Sequence, residues 1–551
     1  MTILSTPLSR PTTSALLGRL LLAATLVNLL LIAPMWLRHG IEAGGWIAWE
    51  AWLLVGLFAT LPPRRSVKAL GWLAALVLIA GLVLALGDGA THRVLSRPLN
   101  LYFDTLLIGA GFHLLDGSLG RAGALAVTGA VVVTLVGLTL LLAGVLLRQP
   151  RPDRRARMAA LGLAALGLAG LTLDQTGLYQ LPGARSPVVD TLRFQAAQVA
   201  SAHDERRAFL AAAPEQRQTG TPLPGLAGID VLLVFVESYG MTVFEQEAYR
   251  AVIEPRLRSL EQRLDERGLA VVSGSMAAPI RGGQSWLSHA SVLSGQRIGN
   301  QLWYRLLLGS NYNTLVDDFR ATGHVSMAVK PAIVRPWPEG GQLGFDQIFA
   351  APDLGYAGPA LNWVTMPDQY TLHHFQQVLR PAVEAPLFAM LALISSHAPW
   401  TPVLEVLPDW EVIEDGRVFE RWRNAGASPG SVWRSLSKLR DQYIRSLDYS
   451  LHAVLDYAAR FADDHTLLII LGDHPPSALV SRTGDGPGVP VHLVSARPEL
   501  LDGFARRGFV DGLLPPSGDR GNPALAPLEE LRAWFRADFG ASLPETSRSR
   551  P

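Results

Sequence analysis

Ile229-Asp-Val-Leu-Leu-Val-Phe-Val236 runs almost without a polar break into Glu237-Ser-Tyr-Gly240. A short apolar run rich in β-branched residues that ends in a polar turn has the pattern of a parallel strand buried on both faces. Similar runs follow at Leu387–Ile394, Thr466–Leu471 and Val489–Val494. Helical periodicity fills the gaps, over Val252–Arg267, Tyr312–Ala321, Tyr370–Leu379 and Val432–Phe461. Strands alternating with helices predict an α/β domain with a mostly parallel central sheet.

In such sheets, sites form where the strands end. Those ends carry Glu237, Ser395-Ser-His397 and Gly472-Asp473-His474. Glutamate, aspartate and histidine are donors that a divalent cation accepts. A fourth element is Gly282-Gly-Gln-Ser285, which opens an apolar helical stretch. A serine at a helix N-terminus faces free backbone N–H groups that favour phosphate or sulfate oxygens, and it also makes a good helix cap. Both readings stand for Ser285 at this point. His492 inside Val489–Val494 is read as a satisfied sheet histidine rather than a further ligand. His373 and His374 receive no role.

N-terminal to this domain the composition changes. Of the 551 residues, 49% are hydrophobic, and the excess lies before residue 175. Ser14–Trp36, Ala69–Leu86, Ala122–Leu147 and Met158–Leu173 read as membrane spans, each near the ~20 apolar residues that cross a bilayer. Trp46–Leu61 is a weaker fifth, because it carries Glu50; that carboxylate is read as lying near the outer interface among belt tryptophans. Leu101–Leu115, with Asp104 and His113, is read as interfacial or re-entrant. Arg64, Arg65 and Lys68 crowd one connection, and Arg148, Arg151, Arg154, Arg155 and Arg157 another. Placing both inside requires an odd number of crossings, about five, with everything after Leu173 outside. The expected organisation is a helical membrane domain over 1–174, a linker with one amphipathic helix over 175–227, an extracytoplasmic catalytic domain over 228–540 and a disordered tail over 541–551. A net charge of +1 argues against a nucleic-acid surface. The absence of cysteine excludes disulfides, thiolate metal sites and cysteine nucleophiles.

Ser285-Trp-Leu-Ser-His-Ala-Ser-Val-Leu-Ser-Gly295 is in register with the sulfatase signature Cys/Ser-x-Pro-Ser-Arg-x-Ser-Leu-Leu-Thr-Gly. With Val-Glu237-Ser and Leu-Gly-Asp473-His474 in order around it, the chain resembles the alkaline phosphatase and sulfatase superfamily from about Ile229 to Glu499. Leu287 and His289 replace the proline and arginine that direct formylglycine formation, which argues against sulfatase chemistry. Membrane spans ahead of such a domain, Ser-Ser-His397-Ala-Pro-Trp400 and Met366-Pro-Asp368-Gln-Tyr-Thr-Leu372 are similar to the lipoteichoic acid synthase and phosphoglycerol transferase group. Lipid A phosphoethanolamine transferases share the layout but typically carry disulfides.

This resemblance implies a membrane-anchored phosphotransferase of the plasma membrane. It would move phosphoglycerol, or phosphoethanolamine, from a phospholipid to a glycan or polymer in the periplasm or cell exterior. Glu237, Asp473, His474 and the Ser285 oxygen would hold one divalent ion, Mn²⁺ or Zn²⁺ with Mg²⁺ as a third option. Ser285 would be the nucleophile and His397 the proton donor or phosphate contact. Arg281, Arg335, Trp337 and Asp368 are candidates for gripping head group or acceptor. A phosphodiesterase, phosphatase or sulfatase-type hydrolase of the same fold is the alternative, and a catalytically dead binding module is the reading from another class.

Overall fold

The computed structural model describes residues 12–95, 97–105, 107–148, 153–214, 219–481, 486–516 and 525–541. The expected tail beyond Ala541 lies outside them. The chain divides into two compact units, residues 1–93 with 97–205, and residues 206–551 with 94–96.

In the first unit the principal helices are α1 (Thr13–His39), α2 (Trp49–Thr60), α3 (Arg65–Leu95), α4 (Leu107–Leu147), α5 (Arg154–Thr176) and α6 (Pro187–Ala212). Among the described residues, four stretches are long and apolar enough to cross a membrane: Thr13–His39, Arg65–Arg93, Gly120–Leu147 and Arg154–Thr176. Their outward faces are apolar (Val133 is 71% exposed), as lipid-facing helices require. The fifth expected span is the 12-residue α2, about 18 Å long at 1.5 Å per residue and so short of a ~30 Å hydrocarbon core. Gly120, at φ 70°, breaks α4 and separates Leu107–Leu119 from the apolar stretch after it. Leu101–Asp104 forms a short separate helix, where Arg97 forks onto Asp104 at 2.7 and 2.9 Å.

Small residues let α2 and α5 touch backbone to backbone. A Cβ on Gly167 would lie 2.3 Å from the Leu53 nitrogen, and one on Gly56 2.5 Å from the Ala160 oxygen. Glu50 is buried at the start of α2. Its Oε1 accepts from the backbone N–H groups of Val188 and Val189 at 3.0 and 3.1 Å. Those are free donors of the first turn of α6, so Glu50 caps a neighbouring helix as well as sitting near tryptophans.

The second unit is built on one eight-stranded sheet. Its strands are β1 (Asp230–Val236), β2 (Ala270–Ala277), β3 (Val325–Lys330), β4 (Gln347–Ala350), β5 (Leu387–Ala392), β6 (Thr466–Gly472), β7 (Gly488–Ser495) and β8 (Val510–Asp511). The spatial order is β8-β2-β7-β6-β1-β5-β3-β4. β6, β1, β5, β3 and β4 pair in parallel, and β7 runs antiparallel to both β6 and β2. Alternation along β1 divides the core. Leu232, Val234 and Val236 face one apolar layer with α12 (Leu436–Phe461), while Val231, Leu233 and Phe235 face another with Leu287, Ala290 and Leu293. Both faces are therefore covered, which is why the central strands read as unbroken apolar runs. β2 and β3 escape the sequence reading because Ser, Gly and Ala interrupt their apolar pattern, and β4 and β8 because they are only four and two residues long.

Candidate active site

The register of the central strands brings the polar ends together. Val236 of β1 is paired with Gly472 of β6, and Phe235 with Ala392 of β5. The next residues, Glu237 and Asp473, therefore emerge side by side, with His397 on the turn after β5. Gly472 has to be glycine, since a Cβ there would sit 1.8 Å from the Tyr239 carbonyl oxygen.

Ser285 begins the helix α8 (Ser285–Ser294). The preceding residues Gly282, Gly283 and Gln284 have φ of 73°, 133° and 66°, a left-handed path that Gly283 in particular needs a missing Cβ to follow. The loop is pinned where the Gly282 N–H donates to the Pro475 carbonyl at 3.0 Å. Ser285 Oγ does not cap the helix. It donates to Glu237 Oε2 at 2.9 Å and lies 3.3 Å from His474 Nε2.

Glu237, Asp473 and His474 are all buried, and each offers a ligand atom within 4.8 Å of the others. The ligands are held by their surroundings. Asp473 Oδ1 accepts from the backbone N–H groups of Ser238 and His474 at 2.8 and 2.7 Å. Ser238 Oγ donates to Glu237 Oε1 at 2.7 Å. His474 Nδ1–H donates to the Pro475 carbonyl at 3.0 Å, which turns Nε2 toward the carboxylates, the tautomer a metal-ligating histidine uses.

The electrostatics describe a pocket short of positive charge. Burial and the adjacent Glu237 carboxylate push Asp473 up to about 7. Burial also opposes the Glu237 charge, but the imidazoles of His474 and His397 outweigh it and hold Glu237 below the usual carboxylate range. Two buried carboxylates, an imidazole and a hydroxyl converging within a few ångströms are a donor set that fits a divalent cation.

This cluster opens into a pocket of about 390 Å³ whose walls include Trp286, Tyr304, Ile333, Trp337 and His397. His397 Nδ1–H donates to the Ala398 carbonyl at 2.6 Å, leaving Nε2 to exchange protons with anything bound. Two groups here go beyond the sequence reading. Lys330, at the end of β3, is buried, and its Nζ donates to His289 Nδ1 at 3.1 Å. That ammonium also lies 4.4 Å from the Trp337 ring centroid, and among the described residues it makes no ion pair within 4.0 Å. Burial pushes Lys330 down to about 8. Burial and Lys330 hold His289 neutral, and its Nε2 has no partner. β3 was not legible as a strand, so nothing in the sequence marked Lys330 as a strand-end residue.

The second-rank candidates divide. Trp337 lines the pocket. Asp368 does not: it is fully buried, with Oδ1 accepting from the Ile394 and Ser395 N–H groups at 2.7 and 2.9 Å and Oδ2 accepting from Ser450 Oγ at 2.6 Å. Its acceptors are used in holding the turn that leads to His397. Arg281 is turned toward another loop, where it donates to Ser481 Oγ and to the Gly486 carbonyl. Arg335 is exposed outside the pocket wall. His492 is satisfied within the sheet, between the Tyr239 hydroxyl at 2.9 Å and Ser273 Oγ at 2.6 Å, as its sequence context indicated.

Solved structures with a similar chain course include the lipooligosaccharide phosphoethanolamine transferase A (EptA) of Neisseria meningitidis. It is 12% identical with a TM-score of 0.47, covering 96% of each chain. The lipoteichoic acid synthase LtaP of Listeria monocytogenes is 11% identical with a TM-score of 0.40, over 58% of this chain and 74% of that one. A phosphonate monoester hydrolase of Agrobacterium radiobacter is 15% identical with a TM-score of 0.30, over 58% and 79%. No curated protein matches the sequence. Residues 230–489, which hold Glu237, Ser285, His397, Asp473 and His474, match the family described as Sulfatase.

Proposed function

We propose that this chain is a membrane-anchored, metal-dependent phosphotransferase that moves a phosphoglycerol or phosphoethanolamine group from a phospholipid to a glycan or polymer acceptor. The supporting observation is Ser285 Oγ, hydrogen-bonded at 2.9 Å to Glu237 inside the buried Glu237–Asp473–His474 cluster and opening into the pocket. A divalent ion, Mn²⁺ or Zn²⁺ with Mg²⁺ as a third option, would be held by those three residues and Ser285, and would supply acidity to the hydroxyl and charge to offset the phosphoryl oxygens.

The rest falls to the protein. Glu237 orients the Ser285 hydroxyl toward the pocket and takes its proton along their hydrogen bond, and Ser285 Oγ forms a bond to phosphorus as the bond to the diacylglycerol oxygen breaks. His397 Nε2 gives a proton to that leaving oxygen. An acceptor hydroxyl, deprotonated at the same nitrogen, then displaces Ser285 from phosphorus, and Ser285 Oγ recovers its proton from Glu237. Lys330 and Trp337 line the space a head group would fill, with the ammonium donating to phosphoryl oxygens. A volume of about 390 Å³ is at the lower end for ligand sites and suits a head group rather than a polymer. The spans keep the domain at the plasma membrane, with its site outside the cytoplasm, where such a donor is found.

The test uses the full chain in lipid nanodiscs, loaded with Mn²⁺, with fluorescent phosphatidylglycerol or phosphatidylethanolamine. Release of labelled diacylglycerol is expected, and Ser285→Ala should lower it by at least about 10³-fold. Appearance of the head group on an added glycan completes the transfer, whereas free head-group phosphate marks the hydrolase. Inertness toward both lipids, with cleavage of a soluble phosphodiester, overturns the lipid donor.

A further inference from the structure

The first unit holds a second polar pocket, of about 420 Å³, formed by residues 174–193 and sharing no residue with the Ser285 site. We infer that it binds the head group of a zwitterionic membrane phospholipid, one carrying both a phosphate and a primary ammonium.

Its depth follows from α5. The apolar stretch Met158–Leu173 ends at Asp174, which lines the pocket. Sixteen residues at 1.5 Å each span about 24 Å, so Asp174 stands near the edge of the hydrocarbon core. Tryptophans mark the same level independently. The backbone N–H of Trp46 donates to the carbonyl of Gly183, part of the pocket wall, at 2.6 Å. Trp46 is 57% exposed and packs edge-on against Trp36 with ring centroids 5.4 Å apart. Exposed tryptophans of this kind belong to the head-group layer. Leu178 and Tyr179, 77% and 58% exposed, continue the apolar surface beside the pocket.

The lining charges supply the selectivity. Arg185, Arg193, Asp174 and Asp190 face one cavity, yet among the described residues no ion pair within 4.0 Å joins them. Gln175 stands between opposite charges, donating from Nε2 to Asp190 Oδ1 at 2.6 Å and accepting from Arg193 Nη1 at 2.7 Å. Arg185 is steadied by donating to the Ala43 carbonyl at 2.7 Å, and Asp174 by accepting from Ser186 Oγ at 2.5 Å. A purely anionic ligand would meet two carboxylates, and a purely cationic one two guanidiniums. A phosphate with a tethered ammonium meets both signs, the guanidiniums forking onto the phosphate.

The full chain is reconstituted in nanodiscs holding equal phosphatidylethanolamine and phosphatidylglycerol, extracted in mild detergent, and its retained lipid measured by native mass spectrometry. Wild type should retain phosphatidylethanolamine in preference to phosphatidylglycerol. Arg185→Ala with Arg193→Ala should lower that retention by about tenfold, equivalent to about 1.4 kcal/mol. Asp190→Asn, a milder change, should erase the preference while leaving the melting temperature in place. Equal retention of the two lipids by wild type, or an unchanged preference in Asp190→Asn, overturns the assignment.

Discussion

Lys330 shows how much one side chain can depend on its surroundings. A buried ammonium is costly unless something pairs with it; here a neutral imidazole and an indole face are its nearest neighbours, and the Asp473 and Glu339 carboxylates act on it from beyond ion-pair distance. A bound phosphoryl group would give it a direct anionic partner. Lys330→Met should therefore reduce kcat/KM toward the phospholipid by about 10- to 100-fold with little loss of thermal stability. The pH dependence has a definite sign. Burial lowers Lys330 to about 8, so its positive charge is present below that pH and is lost as pH rises through it. The wild-type rate should carry an alkaline limb near pH 8 that disappears in Lys330→Met and moves upward in Lys330→Arg. An unchanged limb in Lys330→Met would remove Lys330 from the reaction.

Asp368 belongs to the scale of elements. It ties the first turn of the helix at Asp368–His374 to the end of β5 and to α12, through Ile394, Ser395 and Ser450. Asp368→Ala leaves two buried N–H groups without acceptors and should cost about 1–3 kcal/mol, with activity falling because the turn to His397 loosens. Asp368→Asn should recover most of both, since its carbonyl oxygen can face the N–H pair while the Ser450 hydroxyl turns to accept from the amide. A ligand-gripping carboxylate behaves otherwise, and its Asn variant would lose activity at full stability. Thermal melts and turnover on the three proteins separate the two roles.

For the whole molecule, the distribution of arginine makes the strongest statement. If the basic connections are cytoplasmic, a residue such as Arg65 and a residue of the catalytic unit such as Arg506 lie on opposite sides of the membrane. The chain has no cysteine, so Arg65→Cys and Arg506→Cys each introduce a single thiol. In intact cells a membrane-impermeant maleimide should label Arg506→Cys and spare Arg65→Cys until the cells are lysed. Labelling of both, or of neither, would reject the orientation.

Unbroken apolar runs made the central strands β1, β5, β6 and β7 legible, since strands covered on both faces need no polar residue until they end. Those ends then exposed Glu237, His397, Asp473 and His474, while two glycines before a helical stretch marked Ser285. Periodicity fixed the principal helices for the same reason, as burial imposes a repeat that local composition records. Other features depended on contacts distant in sequence. Lys330 became a pocket residue only because β3 lies beside β5, and Asp368 became a clamp only because β5 and α12 surround it. Glu50 likewise found its partners at residues 188 and 189. Sequence by itself determined the segments and the chemistry at their ends, because backbone hydrogen bonding and burial act locally. Which polar groups face the pocket and which are consumed in holding it was decided by tertiary structure, because a side chain's partners are set by packing.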